Sequence, residues 1–111
     1  MMDIKKSAEL IKKAIEDKKG YDIVEIEVSE KTILADLFII ASGKSTVQVR
    51  AIAEGVEEKL DKEGLSPVRR EGINEGRWAV LDYGDIIVHI FNDESRLFYH
   101  LERLWQGEKR N

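Results

Sequence analysis

The chain contains no cysteine and one proline, Pro67. The first absence excludes a disulfide framework and thiolate chemistry, and it fits a reducing compartment. With 42% hydrophobic and 36% charged residues, the scarcity of proline points to an ordered globular chain rather than a disordered one. No apolar run approaches the ~20 residues that a membrane span needs. The opening stretch MMDIKKSAEL places charges where a signal peptide needs its apolar segment, so a cytoplasmic protein is expected. An excess of basic charge is also missing. The 18 basic and 22 acidic residues leave a formal net charge of −4. That balance argues against wrapping a nucleic-acid backbone, and no sequence-specific nucleic-acid binding is expected. It suits a basic protein partner better. Linkers, repeats and low-complexity stretches are absent too, and 111 residues suit one domain spanning 1–111.

What is present reads as alternating helices and strands. Ile4, Ala8, Ile11 and Ile15 recur at helical steps, which predicts a helix opening at Asp3 and closing at Gly20. In IVEIEV, Val24, Ile26 and Val28 alternate with Glu25 and Glu27, a strand with one face to the core and one to water. The run Leu37 to Ala41 has no polar face and predicts a strand covered on both sides. Ser45 is placed to cap a second helix with Val49, Ile52, Val56 and Leu60 as its buried stripe and Gly64 at its end. A short strand is expected over Pro67 to Arg70, then a loop through Gly72 and Gly76, a hairpin through Asp82 to Asp85, and one last helix from Asp93 or Ser95. The order predicts an α/β fold, a single domain with a mixed β-sheet flanked by helices.

The hairpin can be read face by face. Gly84 permits the positive φ of a two-residue turn, which pairs Asp82 with Ile87, Val80 with His89 and Trp78 with Phe91. Ala79, Leu81, Tyr83, Ile86, Val88 and Ile90 then share one nearly aliphatic face, assigned to the core. The other face carries Trp78, Val80, Asp82, Ile87, His89 and Phe91. The last helix offers Leu97, Leu101, Leu104, Phe98 and Trp105 to cover it, with Tyr99, His100 and Arg103 turned toward its other side. Trp78 is either core or a partly exposed anchor for a partner. His89 is expected to be structural, with Asp82, its diagonal neighbour, holding the ring by a hydrogen bond.

Three patterns suggest chemistry and fall short of it. Gly43 to Thr46 reads GKST, the end of a phosphate-binding loop, but that motif needs a glycine five positions before Gly43, where Phe38 stands. A nucleotide-binding or nucleotidyltransferase-type enzyme using the turn Gly43, Lys44 and Ser45 is the alternative reading. Glu25 and Glu27 have the spacing of a two-metal transfer site, yet the glycine–serine turn follows them instead of preceding them, and alternation with Val and Ile explains them as a solvated face. His89 and His100 lack any zinc-ligand spacing. No catalytic residue, metal or cofactor is therefore expected.

Two long motifs remain. DLFIIASGKSTVQVRAIAEGVEEKL, and EG followed by WAVLDYGDIIVHIF and RLFYHLERLW, together resemble the ribosomal silencing factor family, also called RsfS or Iojap-like. The match covers nearly the whole chain. One departure is Thr46, where the family's usual residue after the serine is acidic. The signature positions carried onto this sequence are Glu71, Gly72, Trp78, Leu81, Asp82, Tyr83, Gly84, Asp85, His89, Phe91, Arg96, Tyr99, Glu102, Arg103 and Trp105.

The resemblance implies a nucleotidyltransferase-like fold without the catalytic acids, and a protein that is not an enzyme. It implies binding to the large ribosomal subunit through large-subunit protein fourteen. Bound there, it would block joining of the small subunit and repress translation. It also implies a homodimer when free. The residues expected to bind the partner are Trp78, Asp82, Tyr83, Asp85, His89, Arg96, Tyr99 and Arg103.

Overall fold

The computed structural model describes residues 3–106, without the side chains of Glu102 and Gln106. The first helix, α1 (Ile4–Asp17), begins where the Asp3 carboxylate accepts from the Lys6 amide at 2.8 Å. It buries Ala8, Ile11 and Ile15 of the predicted stripe, together with Ser7 and Ala14, while Ile4 at its start is half-buried. Its end differs in detail from expectation. The left-handed residue is Lys19, at φ 69°, not Gly20. Gly20 is needed for closeness instead, since a Cβ there would collide with the Ile15 side chain.

Strands β1 (Tyr21–Glu27) and β2 (Leu37–Gly43) follow, then α2 (Thr46–Asp61), β3 (Arg69–Glu71), β4 (Trp78–Asp82), β5 (Ile86–Asn92), α3 (Asp93–Tyr99) and α4 (Leu101–Gln106). The five strands form one mixed sheet in the order β1-β2-β5-β4-β3. β2 and β5 run parallel, and the other neighbours are antiparallel. Every residue of β2 is buried, as its lack of a polar face requires. Ser45 caps α2 by accepting from the Gln48 amide, and Gly64 closes the segment at φ 80°. The short strand expected over Pro67 to Arg70 starts two residues later and ends one later, as Arg69–Glu71.

The hairpin has the predicted register: Trp78 pairs with Phe91, Val80 with His89 and Asp82 with Ile87. Tyr83 N donates to Ile86 O at 2.9 Å around a two-residue turn with Gly84 at φ 91°. Period two then divides the strands between two cores. Leu37, Ile39, Ala41, Ala79, Leu81, Val88 and Ile90 pack against α1 and α2, with Tyr83 half-buried beside them. Phe38, Ile40, Ile87 and Phe91 pack on the opposite side with Leu101, Trp78 and Trp105.

The expected single last helix is two helices. His100 lies in the left-handed region at φ 49°, ψ 45° and closes α3, its amide donating to Arg96 O. The break changes the phase of the apolar stripe. Leu101 is buried and Trp105 packs on Phe38, but Leu97, Phe98 and Leu104 are exposed to 69%, 78% and 71%. Tyr99, expected on the far side, lies against the sheet's aromatic residues instead.

Candidate functional site

The second sheet face carries a layered aromatic stack. Phe91 is fully buried at its base, and the Trp78 ring stacks on it with centroids 4.9 Å apart. Tyr99 covers Trp78 at 4.7 Å and is itself 45% exposed. Phe98 meets Tyr99 edge-on at 5.0 Å. These are offset or edge geometries that the ring quadrupoles favour. The period of two on β4 and β5 places Trp78, His89 and Phe91 on one face, and the start of α3 directly after β5 lays Tyr99 over them.

His89 is buried in this face, with Phe38 at 4.7 Å on one side. Its Nδ1 accepts the indole N–H of Trp78 at 3.1 Å. The expected hydrogen bond from Asp82 does not exist, because the Asp82 carboxylate is engaged elsewhere: it accepts from the Gly84 amide at 2.8 Å and pairs with Arg69 at 3.5 Å. A carboxylate at the hairpin end has the turn amide closer to hand than the imidazole. Burial alone pushes the His89 pKa down to about 4, so the ring is neutral at physiological pH.

The eight residues expected to meet a partner fall in separate places. Trp78, His89 and Tyr99 come together in the stack. Asp82 and Asp85 lie at the hairpin turn, with the Asp85 carbonyl accepting the amides of Asp36 and Leu37. Tyr83 packs on the opposite core, where burial raises its pKa and its hydroxyl has no partner among the described residues. Arg96 ties α3 to the sheet, donating to Ser42 Oγ at 2.7 Å and to the Asp22 carbonyl at 2.8 Å. Arg103 is exposed on α4. The exposure of Leu97, Phe98 and Leu104 is not what their buried-stripe spacing predicts: α3 turns Tyr99 to the sheet, and after the break at His100 α4 turns Leu101 and Trp105 to it.

The chemical patterns resolve locally. In the GKST turn, Ser45 accepts from Gln48 N, while the Gln48 side chain accepts from Lys44 N at 2.6 Å and donates to the carbonyls of Lys18 and Lys19. The turn is thus joined to the end of α1, with the Lys44 amide already engaged. Glu25 pairs with Lys12 of α1 at 2.5 Å, and Glu27 is exposed. Among the described residues, no three or more His, Asp or Glu side chains are grouped to hold a metal ion.

These features define a mixed-sheet α/β protein with an aromatic and aliphatic face. Over residues 1–111 the sequence matches the family described as "Ribosomal silencing factor during starvation". It is 40% identical over 108 residues to the ribosomal silencing factor RsfS of Chromobacterium violaceum, covering 97% of this chain and 88% of that one. It is 38% identical over 92 residues to RsfS of Bacillus subtilis, covering 83% and 78%. A crystal structure of a C. violaceum protein superposes with a TM-score of 0.93 at 39% identity, over 99% of this chain and 92% of that one. The chain belongs to the ribosomal silencing factor family.

Proposed function

We propose that this protein silences translation by occupying the large ribosomal subunit, where it binds large-subunit protein fourteen and keeps the small subunit from joining. The observation that carries the reading is the exposure of Leu97, Phe98 and Leu104 on α3 and α4, with Phe98 packed edge-on against the solvent-facing end of an ordered aromatic stack. Large exposed apolar groups grouped with aromatics mark contact surfaces. The acidic net charge favours approach to the basic proteins of a ribosome. A standard interface of ~800 Å² per partner would take roughly a tenth of the 6885 Å² surface. No bond-breaking step enters this mechanism, and the protein acts by its bulk.

The reading refines which residues touch the partner. Tyr99, Phe98, Leu97 and Leu104 supply the exposed apolar area, Arg103 is the exposed neighbour of Leu104 on α4, and Asp82 and Asp85 lie at the hairpin turn. Trp78 is the platform beneath Tyr99. The protein works in the cytoplasm, and it forms a homodimer when no ribosome is bound. No helix among the described residues is long and apolar enough to cross a membrane.

Sedimentation with isolated large subunits, together with light scattering during subunit joining, tests the proposal. The wild type should pellet with large subunits and slow joining. The double substitution Phe98→Ala and Tyr99→Ala should lose both effects while its circular dichroism is unchanged. A variant that no longer binds ribosomes but still represses translation would refute the mechanism.

A further inference from the structure

We infer that His89 is a positioning residue for the docking face: by accepting the indole N–H of Trp78 it fixes the platform on which Tyr99 stands. The inference rests on the docking reading above and adds to it the way the face is preorganised. Trp78 pairs with Phe91 and Val80 with His89, so Trp78 and His89 are diagonal neighbours on adjacent strands, with Nε1 and Nδ1 3.1 Å apart. An imidazole accepting at Nδ1 carries its proton on Nε2, which selects one neutral tautomer.

At 7% exposure His89 has little surface to offer a partner. Its effect reaches the surface through the stack. The torsion that turns an indole plane is broad and nearly two-fold, so packing between Phe91 and Tyr99 leaves more than one orientation open. A single acceptor at one edge selects among them. The same bond decides what the face can recognise. With its only donor held by His89, Trp78 offers a partner no hydrogen bond, and Tyr99 and Phe98 present ring surface. That chemistry suits the aliphatic stems and cationic heads of lysine and arginine on a basic protein.

The test follows the indole N–H resonance of Trp78 in ¹⁵N-labelled wild type, His89→Leu and His89→Asn, with affinity for isolated large subunits measured in parallel. Leucine fills apolar space without an acceptor, and asparagine places an acceptor oxygen near the position of Nδ1. In His89→Leu the resonance should shift, its N–H should exchange faster, and affinity should fall by about 2- to 10-fold, the equivalent of one net hydrogen bond. His89→Asn should recover both. In a Trp78→Phe background, which removes the donor but keeps a stacked ring, His89→Leu should weaken binding no further. If the leucine variant is poorly folded, His89→Asn decides the matter: it should leave the resonance and the affinity near those of the wild type, and a folded His89→Asn that binds as weakly as Trp78→Phe overturns the role. An unmoved resonance in His89→Leu, or a moved one with unchanged affinity, overturns the positioning role alone. Failure of the wild type to bind large subunits overturns the docking reading and the role built on it.

Discussion

The Tyr21 hydroxyl donates to Asp93 Oδ1 at 2.5 Å, joining the first residue of β1 to the first residue of α3 across most of the sequence. A hydrogen bond to a carboxylate disfavours the phenolate, and the Tyr21 pKa is pushed up to about 12. Ultraviolet titration should find a tyrosine ionising near pH 12 that is missing in Tyr21→Phe. In Asp93→Asn the same tyrosine should ionise closer to its ordinary value of 10.

Arg96 makes the second tie of α3 to the sheet. A helix of seven residues has little stability of its own, so it depends on such contacts. Arg96→Ala removes the charged donor that bonds the Asp22 carbonyl and Ser42 Oγ, and leaves the buried Ser42 hydroxyl without this partner. A loss of about 1.5–3 kcal/mol is expected in urea denaturation. Amide exchange should accelerate in α3 before it does in β2 or β5.

His89 makes stability depend on pH in one direction. Its folded pKa of about 4 lies below the ordinary 6.5. Between those values the unfolded chain binds the proton and the folded chain does not. The contribution is therefore fully present above pH 6.5 and is lost as pH falls from 6.5 toward 4, by about 3 kcal/mol over the window. Denaturation midpoints measured from pH 7 to pH 4 should decline, and His89→Asn should flatten that part of the decline.

Two glycines with similar backbone angles should differ in cost. Gly84, at φ 91°, has open space where a Cβ would stand, so Gly84→Ala meets only the left-handed backbone penalty of about 1–2 kcal/mol. Gly72, at φ 73°, faces the Trp78 carbonyl so closely that a Cβ would overlap it. Gly72→Ala should cost clearly more in the same denaturation assay, and it should disturb the Trp78 indole resonance.

The exposed residues should separate folding from binding. Phe98→Ala and Leu104→Ala remove side chains that stand largely in solvent, so each should change stability by no more than about 0.5 kcal/mol while weakening association with large subunits. Trp78→Ala should do both. It removes a partly buried ring from the stack, at a cost below the ~3–5 kcal/mol of a fully buried aromatic.

The hairpin was fully legible in the sequence. Gly84 fixes the turn, the turn fixes the register, and period two assigns Trp78 and His89 to one face and Leu81 and Val88 to the other. The caps at Asp3 and Ser45 were equally readable, since each is a local contact between a side chain and an amide three residues on. The partner of His89 was not. Asp82 and Trp78 flank it at equal separations on β4, and only the turn amide at Gly84 and Arg69 on β3 draw the carboxylate away.

The sequence by itself determined the two cores of this protein, because alternation on strands and the helical spacing of α1 and α2 are properties of the chain's own geometry. Its long motifs also carried the family. Only the tertiary structure decided which aromatic and aliphatic groups reach the surface. The residues from Leu97 to Trp105 have the spacing of one continuous helix, and nothing local forbids it. The left-handed turn at His100 lies between tertiary attachments: Arg96 to Ser42 before it, and after it Lys31 to the Trp105 carbonyl and Trp105 to Phe38. Those partners lie more than fifty residues away along the chain and are invisible to periodicity. They hold α3 and α4 in phases that one continuous helix would not combine, with Tyr99, Leu101 and Trp105 against the sheet and Leu97, Phe98 and Leu104 in solvent.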